Sequence, residues 1–192
     1  MTSGADRTRI VIAVAGGCSF VLGLALLLWP GRDASILAMM FGIWLILSTA
    51  VQVYLAMVAR IAFPLRVLVL ISAVLAGILA GLVFAGGTVE LLALWIGMGW
   101  AVSGVVQALV GAWDTGLDDG WMHEVCGLVT TALGIAVVAM TFRTVTGLAT
   151  MTGTGLVVIG VLEMLAGGLG RAALRASHGT PTEAPRTAWT EF

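Results

Sequence analysis

Glu163 is an acidic residue inside a long apolar stretch, the otherwise uncharged run 144–170. A charged side chain at the middle of a bilayer costs roughly 2.5–3.5 kcal/mol on insertion scales, so an ionisable residue there is by default a functional candidate. Burial without a cation favours the neutral carboxyl, which can donate a hydrogen bond to an amide oxygen. The chemistry that Glu163 could supply is therefore proton binding or transfer.

Two glutamines occupy the equivalent places in earlier segments of the chain. Gln52 and Gln107 are 55 residues apart, and Glu163 follows after 56 more. Each of the three lies ten residues after a glycine, namely Gly42, Gly97 and Gly153. We therefore expect Gln52, Gln107 and Glu163 to lie at one depth and to meet if the segments surround a common axis.

Three interpretations of this trio stay open. The first is a proton-responsive polar cluster inside the membrane. The second is hydrogen bonding between helices, which contributes about 0.6–2 kcal/mol for each bond. In the third, Glu163 extends to the cytoplasmic interface. We favour the last two, because the spans hold no further group that completes a proton path.

The composition is that of a membrane protein. The chain is 60% hydrophobic and 10% charged, whereas globular chains carry about 25% charged residues. Its apolar residues form six runs that each reach about 18 residues, the length of a spanning helix. These runs are 10–31, 34–59, 67–89, 91–113, 125–142 and 144–170, of which the fifth needs 121–124 to reach full thickness. We predict an all-α integral membrane protein with six transmembrane helices.

The repeat groups these helices into three hairpins, at about 10–59, 65–113 and 121–171. Each hairpin leaves and returns to the same side, so the copies are parallel and related by an axis along the membrane normal, as a pseudo-threefold bundle. We assign 1–176 to the transmembrane domain and 177–192 to a disordered cytoplasmic tail, because that tail is too polar to pack.

Small residues recur at equivalent places in the first arm of each hairpin. The pairs are Ser19 with Gly23, Ala73 with Gly77, and Thr130 with Gly134. In the second hairpin Gly81 and Ala85 extend the strip at four-residue spacing. Such strips, together with Gly42, Gly97 and Gly153, allow close helix approach, either within one chain or between copies. We predict that Gly77→Leu disrupts assembly.

The arginines indicate the orientation. Seven of the nine lie at the termini or in the links after the second and fourth spans, and the other two lie in the opposite turns. The first set is Arg7, Arg9, Arg60, Arg66, Arg171, Arg175 and Arg186, and the second is Arg32 and Arg143. The positive-inside rule places both termini in the cytoplasm.

Enzymatic and metal chemistry find no support in the residue pattern. The segment from His123 through Cys126 lacks the His-Glu-x-x-His zinc pattern, because Gly127 stands at the second histidine position. The two histidines, His123 and His178, assemble no catalytic triad, and no phosphate-binding loop is present. The net charge of −1 gives no indication of nucleic-acid binding. We expect no catalytic residue, metal or cofactor.

The glycine-marked hairpins, Pro30 at the end of the first arm and the run 42–46 with Gln52 downstream resemble the HdeD family of bacterial inner-membrane proteins. The similarity covers about 16–168. It implies a six-span inner-membrane protein associated with acid resistance and stress, with no established biochemical activity. Phe84 and Thr141 replace the proline in the later copies, and Glu163 replaces an amide.

The leading hypothesis is a non-enzymatic membrane protein that acts through packing in the bilayer or contacts with a partner. The alternatives are a small transporter or proton-coupled conduit that uses Glu163 with Gln52 and Gln107, and an accessory subunit that docks through 189–192. The expected partners are the lipid bilayer and either a second copy or another membrane protein.

Overall fold

The computed structural model describes residues 4–31, 33–58, 63–113 and 120–178. Within these residues the regular secondary structure is entirely helical, in agreement with the predicted all-α class. The six helices are α1 (Gly4–Leu28), α2 (Ala34–Val58), α3 (Phe63–Ala85), α4 (Val89–Trp113), α5 (Gly120–Ala139) and α6 (Val145–His178).

Five of these helices contain a segment long and apolar enough to cross a membrane. They are α1, α2, α3, α4 and α6, and the apolar part of α5 is shorter, at Glu124–Ala139. This agrees with the expected weakness of the fifth span. Helix α6 extends beyond the expected end near 171 and includes Ser177 and His178 of the predicted tail. The rest of that tail, 179–192, lies outside the described residues.

The second, fourth and sixth helices begin with the same kind of cap. The Asp33 carboxylate accepts a hydrogen bond from the Ile36 backbone N–H at 2.8 Å. The hydroxyls of Thr88 and Thr144 accept equivalent bonds at the starts of α4 and α6, at 3.4 and 3.2 Å. Side-chain oxygens of this kind satisfy backbone donors that lack a partner within the helix. The three caps stand at the repeat spacing of 55 and 56 residues.

The helices pack most extensively in pairs that each join two different predicted hairpins. These pairs are α1 with α6, α2 with α3, and α4 with α5. The two arms of each predicted hairpin are also in contact, though less extensively, and α2, α4 and α6 contact one another. These three helices therefore supply the centre of the bundle.

The burial of equivalent residues on α2, α4 and α6 shows the same register. One layer consists of Leu37, Leu92 and Leu148, which are at most 1% exposed. The next layers are Phe41, Ile96 and Thr152, followed by Leu45, Trp100 and Leu156, all fully buried. Their order along each helix places the positions of Gln52, Gln107 and Glu163 toward the end of the bundle remote from the caps.

Candidate functional site

Glycines bring α1 and α6 into backbone contact. A Cβ atom at Gly23 would lie 2.7 Å from the Gly153 carbonyl oxygen, and one at Gly160 would lie 2.5 Å from the Phe20 nitrogen. At the same interface, a Cβ at Gly16 would lie 2.7 Å from the Cβ of Glu163. The missing side chain at Gly16 therefore makes the space in which Glu163 sits against α1.

The same arrangement recurs between α4 and α5. A Cβ atom at Gly134 would lie 2.6 Å from the Gly97 carbonyl oxygen, and one at Gly104 would lie 2.6 Å from the Gly127 carbonyl oxygen. Both helix pairs thus carry two glycines on each helix, seven residues apart, at equivalent places in the repeat. Close backbone approach of this type is how membrane helices gain packing energy without a hydrophobic driving force.

The α2–α3 pair departs from this arrangement. A Cβ atom at Gly42 would lie 2.6 Å from the Phe84 ring, whereas Gly77 and Gly81 face open space. Phe84 occupies the repeat position of Pro30. Of the strip predicted on α3, Ala73 is buried, and Gly77 and Gly81 contact no second helix within the described chain. The prediction for Gly77→Leu accordingly concerns contacts between copies.

Glu163 lies within a polar cluster that we define as Ser19, Trp44, Gln107, Cys126 and Glu163. The Glu163 carboxyl is in hydrogen-bonding reach of the Gln107 amide and the Ser19 hydroxyl, and it interacts electrostatically with Cys126. The Trp44 indole N–H donates to the Ser19 oxygen at 2.9 Å. Five helices contribute to this cluster, so Glu163 faces the bundle interior and does not extend to an interface.

The structure brings together two members of the predicted trio. Gln107 contacts Glu163, whereas Gln52 donates from Nε2 to the Ser48 hydroxyl at 3.3 Å. Gln52 is 8% exposed. Ser19 was expected to be a packing residue and has a polar role as well. Trp44 and Cys126 were not expected in the site, and the sequence signal for Cys126 was its four-residue spacing before Thr130.

Hydroxyl groups at two equivalent positions bond to their own helices. The Ser19 hydroxyl donates to the Ala15 carbonyl at 3.0 Å, and the buried Thr130 hydroxyl donates to the Cys126 carbonyl at 2.8 Å. A hydroxyl that donates to a carbonyl of its own helix needs no acceptor on a second helix. The Thr130 hydroxyl is therefore satisfied within α5, and Thr130 is buried in the bundle.

Several buried oxygen atoms of Glu163, of the two glutamines and of a serine on α4 have no hydrogen-bond partner. They include Glu163 Oε2, Gln107 Oε1 and the Ser103 hydroxyl one turn before Gln107, as well as Gln52 Oε1. Buried polar atoms are normally paired, so each unpaired atom needs a proton, a water molecule or a ligand. No group of three metal-ligating side chains occurs among the described residues. The side chain of His123, which begins the segment that lacks the zinc pattern, lies outside the described part.

Comparison with known proteins gives one family match. Residues 14–85 match a family model described as a short repeat of unknown function (DUF308). The matched segment corresponds to most of α1, all of α2 and all of α3. The curated proteins and the solved structures give no match. The match agrees with the internal repeat and with a membrane protein, and the family carries no assigned activity.

Proposed function

We propose that the chain is a six-span protein of the bacterial inner membrane, of the HdeD type, with three parallel hairpins around a pseudo-threefold axis and both termini in the cytoplasm. The equivalent helix caps and buried layers of α2, α4 and α6, together with the glycine pairs of α4 and α6, support this arrangement. The DUF308 match supports the repeat.

Its function is non-enzymatic: the protein contributes to acid and stress resistance through its packing in the bilayer and its contacts with partners. The observation that carries this proposal is the backbone contact between the second and third hairpins at Gly97 and Gly134, repeated between the first and third at Gly23 and Gly153. These contacts hold the helices together as one bundle, and the bundle acts through its lipid-facing surface. A second copy or another membrane protein is the partner, and the open strip at Gly77 and Gly81 suits such a contact.

Survival at low pH tests this function in a bacterial strain that lacks the gene. We expect the wild-type chain to restore survival and Gly134→Leu to fail, because leucine at that position forces α4 and α5 apart. Gly17→Leu is the matched control, since Gly17 lies on α1 with open space around it. Equal survival with and without the wild-type gene would contradict the acid-resistance role.

A second function, a small proton-coupled conduit, is favoured by the contact between Glu163 and Gln107. Gln52 lies toward the same end of the bundle as these two residues. Ion or proton flux into proteoliposomes tests it: a conduit requires flux in the wild type that Glu163→Gln removes. Absence of flux in the wild type eliminates this function.

A third function, as accessory subunit of a membrane complex, rests on the aromatic-ended segment 189–192, which lies outside the described residues. Retention of a co-purifying membrane protein by the full chain, and its loss after removal of 179–192, is the expected result. Equal retention by both chains would eliminate the tail as the docking element.

A further inference from the structure

Two hydrogen-bond acceptors without partners occur on side chains that contact each other. Glu163 Oε2 and Gln107 Oε1 are both buried and both unpaired, yet the two side chains lie in hydrogen-bonding reach. Each is an oxygen that can only accept while the carboxyl is ionised. Because neither oxygen can donate to the other, the ionised pair leaves both unsatisfied inside the bundle.

One added proton satisfies both atoms. A neutral Glu163 carries a hydrogen on Oε2 and can donate it to Gln107 Oε1, while the Gln107 amide N–H donates to the other carboxyl oxygen. The result is a cyclic acid–amide pair with two hydrogen bonds. Loss of the proton to water removes one bond and leaves a carboxylate in an apolar interior, which is strongly unfavourable.

The neighbouring groups leave Glu163 Oε2 without a donor, although the Ser19 hydroxyl lies in hydrogen-bonding reach of the carboxyl. The Ser19 hydroxyl has one hydrogen, which is directed to the Ala15 carbonyl at 3.0 Å. The Trp44 N–H is engaged with Ser19. Cys126 is the other titratable group that interacts with Glu163, and no cationic side chain in the described part does so. Among the side chains that the structure describes, none therefore gives Glu163 a positive charge that would hold it ionised.

We propose that Glu163 and Gln107 form a site for a single proton, whose binding links the helix α6 of the third hairpin to the helix α4 of the second. The equivalent residue of the first hairpin is Gln52, whose amide stays neutral at every pH. Only the third hairpin, through Glu163, therefore makes a contact between hairpins that depends on pH. The inference rests on the membrane location of the chain and is independent of a role in acid stress.

Infrared spectroscopy of the full chain in lipid nanodiscs tests the site without any substitution. We expect a carbonyl band of a protonated carboxylic acid at neutral pH that shifts in D₂O, is absent from Glu163→Gln and moves in Gln107→Leu. A wild-type spectrum with no protonated-acid band, or with a band that persists in Glu163→Gln, would overturn the proposal. So would a band that responds to replacing choline by Na⁺ at constant pH, because the ligand would then be a metal cation.

Thermal unfolding gives the second measurement. We expect the wild-type melting temperature to fall by about 2–4 °C as the pH rises through deprotonation of Glu163, since one buried bond is lost. Glu163→Gln should abolish this fall, whereas Glu90→Gln, an exposed substitution on α4, should keep it.

The double exchange Gln107→Glu with Glu163→Gln restores an acid–amide pair in the opposite direction and should restore the pH dependence. An identical pH dependence in the wild type and Glu163→Gln, or its loss in Cys126→Ala alone, would overturn the proposal. Neither result bears on survival of cells at low pH, so the proton site and the acid-resistance role can fail separately.

Discussion

The clearest prediction compares Gly134, at the α4–α5 interface, with Gly77, which has the same repeat position on α3. The surroundings of these two glycines differ. A methyl group at Gly134 would lie 2.6 Å from both the Ala101 nitrogen and the Gly97 carbonyl oxygen. Ordinary contact begins at 3.4 Å, so the helices would have to separate by about 0.8 Å at this level. A gap of that size forfeits about a quarter to a half of the local dispersion attraction. At Gly77 the same methyl group meets nothing within 4 Å.

We expect Gly134→Ala to destabilise the bundle by about 1–3 kcal/mol, the usual cost of overpacking. A chain of this size should lose about 2–4 °C of melting temperature for each kcal/mol. Gly77→Ala should leave stability unchanged or raise it by up to about 1 kcal/mol, because alanine favours the helix. Thermal unfolding of both variants in detergent, followed by size exclusion, is the assay. Equal melting temperatures for the two variants would refute the backbone contact at Gly134.

Three further substitutions test the other contacts by the same unfolding assay. Asp33→Ala removes the cap of α2 and should cost about 1 kcal/mol, with Asp33→Asn as the retained-cap control; equal loss in both would contradict the cap. Trp44→Phe removes the indole bond to Ser19 and should cost about 1 kcal/mol, so an unchanged melting temperature would argue against that bond. Gly42→Ala should lower the melting temperature in the wild type and have little effect in Phe84→Ala, because the ring is what the new methyl meets; additive effects would exclude this contact.

The helices themselves were predictable from the sequence. Long uncharged runs set their approximate bounds, because a spanning segment must satisfy its backbone as a helix. The exceptions are the ends: α1 begins at Gly4 and α6 continues to His178. Both extensions contain arginines, which fall outside an apolar run and yet are compatible with helix beyond the bilayer.

The pairing of helices was only partly predictable. Strips of small residues indicate where a helix can approach another closely, but they do not name the partner. Gly23 and Gly134 contact α6 and α4, respectively, whereas the equivalent Gly77 faces open space and Gly42 meets the Phe84 ring. A large side chain, Phe84, stands at the repeat position of Pro30 and distinguishes this interface from the other two.

The level of the site along the bundle was predictable from the sequence, but the residues that form the site were not. Repeat spacing placed Gln107 and Glu163 at one level, and the structure brings them together. Spacing contains no information on the rotation of each helix, so the inclusion of Ser19 and Trp44, and the pairing of Gln52 with its own helix, could not be derived.

The number of membrane crossings is the most direct test of the account, since the short apolar part of α5 separates five crossings from six. Fusions of green fluorescent protein and of alkaline phosphatase to each terminus in turn report which side that terminus occupies. Six crossings with both termini in the cytoplasm predict fluorescence from both terminal fusions and no phosphatase activity from either. Phosphatase activity at one terminus with fluorescence at the other would show an odd number of crossings and contradict the three-hairpin arrangement.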